Sequence, residues 1–480
     1  MKRHLLTAIS LLSIIAYKGF CQDAHYWQSE FCPGGYLFPG SAVANNCDSG
    51  LFYYNPALMA IHPKTSVSVS GNIYDLEIIN IKDGVGSGKP LKSVSPRIIP
   101  AMVSGTIAFK RNKTISLGYA LVQNSIRNFK VTQRQDKQMN VLDDSYSPGN
   151  EIYVGQYVAH NSITQTLAMA SVAVKLNDRF SVGLSGIVQI RSQDLAESYK
   201  SRALSNADTL NAGGPLASVT SDYQLKYYHV GLQFKGGLSY DAGRHHFGLL
   251  ITAPLITIKG KATMDADLEV SDLRIPQTNI DFNLLANDRQ TGLPVKYKQP
   301  LSIALAYALD YGNGQISIAA EYFNKMNTYN IFTPRNESFI RPDTGSVNSQ
   351  TQQTLGLIDK RRSVVNFSIG GSYRFNESIS GVIAFRTDFN YAAPPSAEYE
   401  GNSPNTVTWD NYHLQLGGYF RRRKFNLHGG LLLNYGSTNK YLQHINFDNP
   451  NEGNFLLGDV HNVKATSVTL GFLLSYIHSF

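Results

Sequence analysis

From Ser66 onward the chain alternates apolar and polar residues with a period of two, the mark of strands with two unlike faces. In 66–73, Val67, Val69, Gly71 and Ile73 oppose Ser66, Ser68, Ser70 and Asn72. The alternation returns at 101–110, 115–121, 180–190, 228–239 and 247–253, then at 301–309, 315–322 and 365–374. It recurs at 379–386, 412–420, 425–434 and 468–480, the last with Val468, Leu470, Phe472, Leu474, Tyr476 and Phe480 on one face. Ile163–Lys175 alternates poorly but completes an even count of fourteen predicted strands. Short turns are predicted at 110–113, 177–179, 241–245, 310–314, 376–378 and 421–424. Between them lie long connections at 76–100, 124–162, 192–221, 255–299, 325–362, 390–409 and 436–463.

Short and long connections alternate without a break, so every long one falls at the same end of the sheet. A soluble sandwich has no cause to do this, whereas a bacterial outer-membrane barrel has short periplasmic turns and long extracellular loops. An unpaired backbone donor or acceptor in hydrocarbon costs several kcal/mol, so such a sheet must close, with apolar faces to lipid and mixed faces to the lumen. The predicted fold class is therefore all-β, a fourteen-stranded antiparallel transmembrane barrel. Aromatics near strand ends, such as Tyr322, Tyr373, Phe385, Tyr412, Phe420, Phe425 and Tyr435, suit the two interfaces.

The first 21 residues have a different character. Lys2, Arg3 and His4 precede the apolar run Leu5 to Ala16, and Gly19 and Cys21 stand at −3 and −1 of a cleavage site before Gln22. This is the layout of a secretory signal peptide, too short for a membrane-spanning helix. Lipidation of Cys21 is the alternative, opposed by the bulky Phe20. Beyond residue 21 no run of 18 apolar residues occurs, which excludes a helical membrane protein. After processing, Cys32 and Cys47 remain. In an oxidising compartment they are expected to bridge, worth roughly 3 kcal/mol, with two free thiols as the alternative. The net charge of +8 suits contact with anionic lipid and lipopolysaccharide and does not call for nucleic acid.

Residues 22–63 are not strand-like and are expected to hang free below the barrel or to fold into its lumen. They contain small residues, then Phe52, Tyr53, Tyr54, Asn55, Pro56 and Ala57 just ahead of the first strand. This Asn-Pro-Ala triplet, with its aromatic approach, resembles the FadL-like transporters of long-chain fatty acids and aromatic hydrocarbons. The order 231–240, turn, 247–253, long loop, then Gln299, Pro300 and Leu301 opening a strand is similar to the same family. The resemblance implies an N-terminal hatch at 22–63 inside a barrel at 64–480. It implies uptake of hydrophobic compounds by facilitated diffusion in a monomeric outer-membrane protein. Two features depart from the family: the cysteine pair, and the irregular fourth strand, which would suit a wall interrupted to release ligand sideways.

The predicted lumen faces carry few charges, namely Lys235, Glu321, Arg374 and Arg386. Lys235 and Arg386 are the candidates to meet a carboxylate head group, although buried charges are more often paired with one another or with a plug. Phe472, Tyr476 and the terminal Phe480 are the candidate signal for barrel-assembly machinery. No nucleophile–base pair, cofactor motif or metal-ligand spacing stands out: 83–90 lacks the glycine and Ser/Thr of a phosphate loop, and His245–His246 has no ligand partners. The rival functions are a general diffusion porin, a PorV-like secretion barrel that handles protein cargo, and an outer-membrane hydrolase, for which no reactive side chain is found.

Overall fold

The computed structural model describes residues 24–28, 51–61, 63–109, 114–206, 214–275, 280–341, 351–393 and 409–480. Cys21, Cys32, Cys47, the segment 1–21 and the turn at 110–113 lie outside the described residues. The wall comprises β1 (Ser66–Ile81), β2 (Leu91–Ala108), β3 (Ile115–Met139), β4 (Glu151–Lys175), β5 (Phe180–Leu204), β6 (Leu216–Ala242) and β7 (His245–Thr252). It continues through β8 (Ser302–Asp310), β9 (Gly314–Phe323), β10 (Val364–Arg374), β11 (Ile379–Asp388), β12 (Asp410–Arg421), β13 (Phe425–Leu442) and β14 (Asn462–Ser479). Each strand pairs antiparallel with the next. β14 returns to β1 from Ser66↔Ser479 to Ile81↔Ala465, and the sheet closes into a fourteen-stranded barrel.

The two faces follow the predicted phase. Val468, Leu470, Phe472, Leu474 and Tyr476 point outward and are exposed, while Ser467, Thr469, Leu473 and Ser475 between them are buried. The same holds around the ring, and the outward residues form one apolar belt. Rings of Phe180, Tyr240, Phe247 and Tyr307 sit in sequence near the turn end, with centroids 5.2 to 6.5 Å apart. Phe385 stacks on Tyr412 near the loop end. An apolar band with aromatics at its borders is the surface that a bilayer requires. Inside, small hydroxyls pair across strands, as in Ser66–Thr106 at 2.8 Å and Ser171–Ser185 at 2.7 Å.

Two expectations are corrected. Most of the supposed long loops are strand: β3 to β6 run 25 to 27 residues, where a membrane crossing needs about 9–11. Accessory strands at Ile256–Ile275 and Ile280–Pro294 continue the same sheet from the upper half of β6. The cause is a change of phase. On β5 Leu184, Val188 and Ile190 face outward, whereas above Arg191 Leu195, Tyr199 and Ala203 face inward and Lys200 and Arg202 outward. Where lipid ends and water begins, the greasy face must swap sides. That crown encloses a hydrophobic core of its own, including Tyr153, Tyr157, Tyr223, Leu268, Phe332, Phe447 and Leu456.

The second correction concerns β4, which is unbroken and pairs with β3 and β5 along its length. It alternates poorly because its inward residues Leu167 and Met169 pack on the N-terminal segment, while Ala168 and Ala170 face outward. The wall is interrupted elsewhere. β2 pairs with β3 only from Met102↔Val122 to Ala108↔Ser116, although β1 holds β2 up to Ile81↔Leu91. Pro96 and Pro100, which have no N–H to donate, lie in the unpaired stretch, opposite a bulge at Ser125–Arg127.

Candidate functional site

Residues 24–28 and 51–61 lie within the barrel. After a turn at Leu51–Tyr53, Asn55 opens the short helix α1 (Leu58–Ile61): its Oδ1 accepts from the Ala57 N–H at 3.1 Å and its Nδ2 donates to the Leu238 carbonyl at 3.1 Å. Pro56 follows, at a helix start where a missing N–H costs nothing. Ser181 Oγ donates to the Ala57 carbonyl at 2.9 Å. The wall leaves room for this turn by lacking side chains. Gly183 and Gly237 are cross-strand partners on β5 and β6. A Cβ on Gly183 would stand 2.5 Å from the Pro56 carbonyl carbon, and one on Gly237 2.0 Å from Asn55 Oδ1. Met59 and Phe52 pack on Leu167, Met169 and Ile187.

Residues 24–28 run higher in the lumen. Tyr26 stacks between Phe323 and Tyr391 with centroids 4.0 and 4.3 Å away, and Trp27 Nε1 donates to Glu321 at 2.6 Å. His25 contacts the Trp409 carbonyl, and Gln28 Nε2 donates to the Ile126 carbonyl at 3.1 Å, on the β3 bulge. Between these residues, α1 and the loops lies a cavity of about 200 Å³. Tyr53 and Tyr54 lie on the α1 side, and Tyr297, Arg361 and Tyr391 on the loop side.

Of the charges expected in the lumen, Lys235, Glu321 and Arg386 line this cavity. Lys235 Nζ donates to the Tyr53 carbonyl at 3.2 Å and lies 4.3 Å from the Tyr53 ring centroid, so it ties wall to N-terminal segment. Glu321 accepts from Trp27 and from Ser302 Oγ at 2.7 Å. Arg386 contacts His413 Nδ1 at 3.3 Å. Arg374 is exposed at the turn end and takes no part. His246 bonds to Asp310 at 2.9 Å beside the β6–β7 turn, a local tie. Among the described residues no His, Cys, Asp and Glu cluster could hold a metal.

Sequence reasoning missed Arg191, Arg361, Tyr26, Trp27, Tyr297 and Tyr391. Arg361 pairs with Asp359 at 2.9 Å and lies over the Tyr391 ring at 4.5 Å. Arg191 lies over Tyr297 at 4.3 Å. Most of these sit on connections or in the N-terminal segment, where no period marks a face. Arg191 stands where β5 changes phase.

The interruption between β2 and β3 borders the same lumen. Lys130 N–H donates to Ser93 Oγ at 3.0 Å and Ser95 Oγ donates to the Asn128 carbonyl, so side chains replace the missing ladder. Arg127 of β3 pairs with Glu77 of β1 at 3.0 Å, reaching across β2, and both are buried.

No family model and no curated protein matches the chain. Solved structures do. A FadL homologue of Pseudomonas aeruginosa superposes with a TM-score of 0.56 at 14% identity, covering 94% of this chain and 100% of that one. The chain has the FadL-like barrel fold. The toluene transporter TodX of Pseudomonas putida gives 0.54 at 14% identity, with 97% and 100% covered. The toluene transporter TbuX of Ralstonia pickettii gives 0.54 at 12%, with 95% and 99% covered.

Proposed function

We propose that this protein is an outer-membrane channel that takes up hydrophobic compounds and amphiphiles, such as long-chain fatty acids, by facilitated diffusion. One observation carries the proposal: an apolar-belted, closed cylinder holds residues 24–28 and 51–61 of its own chain in the lumen, around a small aromatic-lined cavity. A general porin keeps an open aqueous bore, whereas here α1 and residues 24–28 stand in the path. Apolar cargo gains about 0.8 kcal/mol per buried methylene on leaving water, which suffices to draw it in without an energy source. Residues 22–63 act as the hatch, with Asn55, Pro56 and Ala57 as its seat. Lys235 and Arg386 offer the polar contacts to cargo, and Lys235 must exchange its Tyr53 carbonyl for them. The unpaired stretch between β2 and β3, next to Ile126, offers a sideways route into the bilayer. Phe472, Tyr476 and Phe480 serve as the insertion signal. The fold shared with the FadL homologue and with the toluene transporters TodX and TbuX supports this reading, as does the cargo of the latter two.

Native mass spectrometry of the detergent-purified, full-length protein tests the proposal. Co-purified or added lipid or hydrocarbon bound to a monomer is the expected result. A stoichiometric protein partner in place of small-molecule adducts would favour a secretion barrel, and steady ion conductance in planar bilayers would favour a porin.

A further inference from the structure

The lumen cavity is small and its chemistry is lopsided. At about 200 Å³ it falls below the roughly 300–1,000 Å³ of pockets for drug-sized ligands. Among the described lining residues four are cations (Arg191, Lys235, Arg361 and Arg386) and one, Glu321, is a carboxylate. Both Glu321 oxygens are already engaged, by Ser302 and Trp27. Arg361 is held by Asp359. Lys235 differs: its ammonium has three donors, and among the described residues it makes one hydrogen bond, to a carbonyl, and no ion pair. The rest of the described lining is aliphatic, with Ile126, Leu167, Ile187 and Leu250, aromatic, with Tyr26, Tyr53, Tyr54, Tyr297 and Tyr391, and carboxamide, with Gln165, Gln189 and Gln233 on successive strands β4, β5 and β6.

These features discriminate among apolar cargoes. A pure hydrocarbon would leave the spare donors of the Lys235 ammonium unmet, and sites built from buried polar groups reject ligands that cannot satisfy them. A fully extended long acyl chain exceeds a chamber of about 200 Å³. A flat ring bearing one carboxylate meets both halves: its faces and edges pack on the tyrosines, and its charge meets an ammonium out of bulk water, where such bonds are strongest.

We propose that this cavity is a binding site for a compact aromatic anion, an aryl carboxylate, whose charge is met by Lys235 and whose ring packs among Tyr26, Tyr53 and Tyr297. The assignment rests on the uptake reading above and narrows its cargo. Binding at Lys235 competes with the Tyr53 carbonyl, so cargo in this chamber loosens one tie of the N-terminal segment.

The test uses the full-length protein in detergent and four probes: 2-naphthoate, its neutral methyl ester, naphthalene and palmitate. Binding is followed by calorimetry and by the emission of Trp27, which lines the cavity. The expected result is that 2-naphthoate binds at least about 10-fold more tightly than its methyl ester, the gain typical of a hydrogen bond to a charged group. Lys235→Met removes that preference, and Lys235→Arg restores most of it. The ester comparison needs no variant, so it holds even if Lys235→Met folds poorly. Equal binding of ester and acid, or an acid preference untouched by Lys235→Met, overturns the assignment. Tight palmitate or naphthalene binding without naphthoate binding leaves the uptake reading standing and sinks this one. If none of the four binds, both fall.

Discussion

Gly183 and Gly237 show how much a missing side chain can decide. Each faces the lumen where the Asn55–Ala57 turn presses on the wall, and a methyl group at either would overlap it. Gly183→Ala meets backbone, which cannot swing aside, and is expected to cost about 1–3 kcal/mol as overpacking and to lift the N-terminal segment from its seat. Thermal unfolding and single-channel recording should show a lowered Tm and new ion conductance. Gly236→Ala is the control, since a Cβ there meets nothing within 4 Å, and it should behave like the parent protein. Asn55 was legible in the sequence as part of a triplet, and so was Lys235 as a charge on a lumen face. The glycines that receive Asn55 were not, because a glycine in a strand says nothing about what approaches it.

At the scale of elements, the seam between β2 and β3 is the weak line of the wall. Its lumen-side tie, Glu77–Arg127, is buried on both sides, and breaking a buried pair costs about 3–5 kcal/mol. Glu77→Ala is therefore expected to speed amide exchange in 123–130 far more than in β9 or β10. Uniform loss of protection would show that the pair supports the whole barrel rather than the seam. A second tie joins the β1–β2 and β13–β14 loops, where Asp448 accepts from the Ser87 N–H and from Lys89 Nζ at 3.0 Å. Burial pushes the Asp448 carboxyl up, but the Ser87 N–H and the Lys89 ammonium outweigh it and hold it below the usual carboxylate range. A carboxylate with a lowered folded value contributes fully above its unfolded value, about 4, and the contribution is lost as pH falls through the folded value. Exchange at the Ser87 amide should accelerate only below pH about 4, and Asp448→Asn should abolish that step.

On the scale of the whole molecule, the closed ring makes the protein's state a matter of what fills it. Deletion of 22–61 is expected to leave a barrel that still inserts, because the fourteen strands pair without those residues, and to turn a silent protein into a steadily conducting one in planar bilayers. If the deletion stays silent, the crown rather than the N-terminal segment closes the bore.

The alternation of faces and of connection lengths was enough to specify a barrel of fourteen strands, because lipid demands one greasy side and a closed edge wherever the chain crosses it. The same rule hid the crown: once strands leave lipid their apolar face turns inward, and a period read in one phase appears to stop. The cavity, its tyrosines and Lys235's tie to Tyr53 depend on residues as far apart as Tyr26, Lys235 and Tyr391 meeting in one chamber. Only closure of the cylinder around its own N-terminal segment brings them together, since no local pattern records a contact made across a lumen.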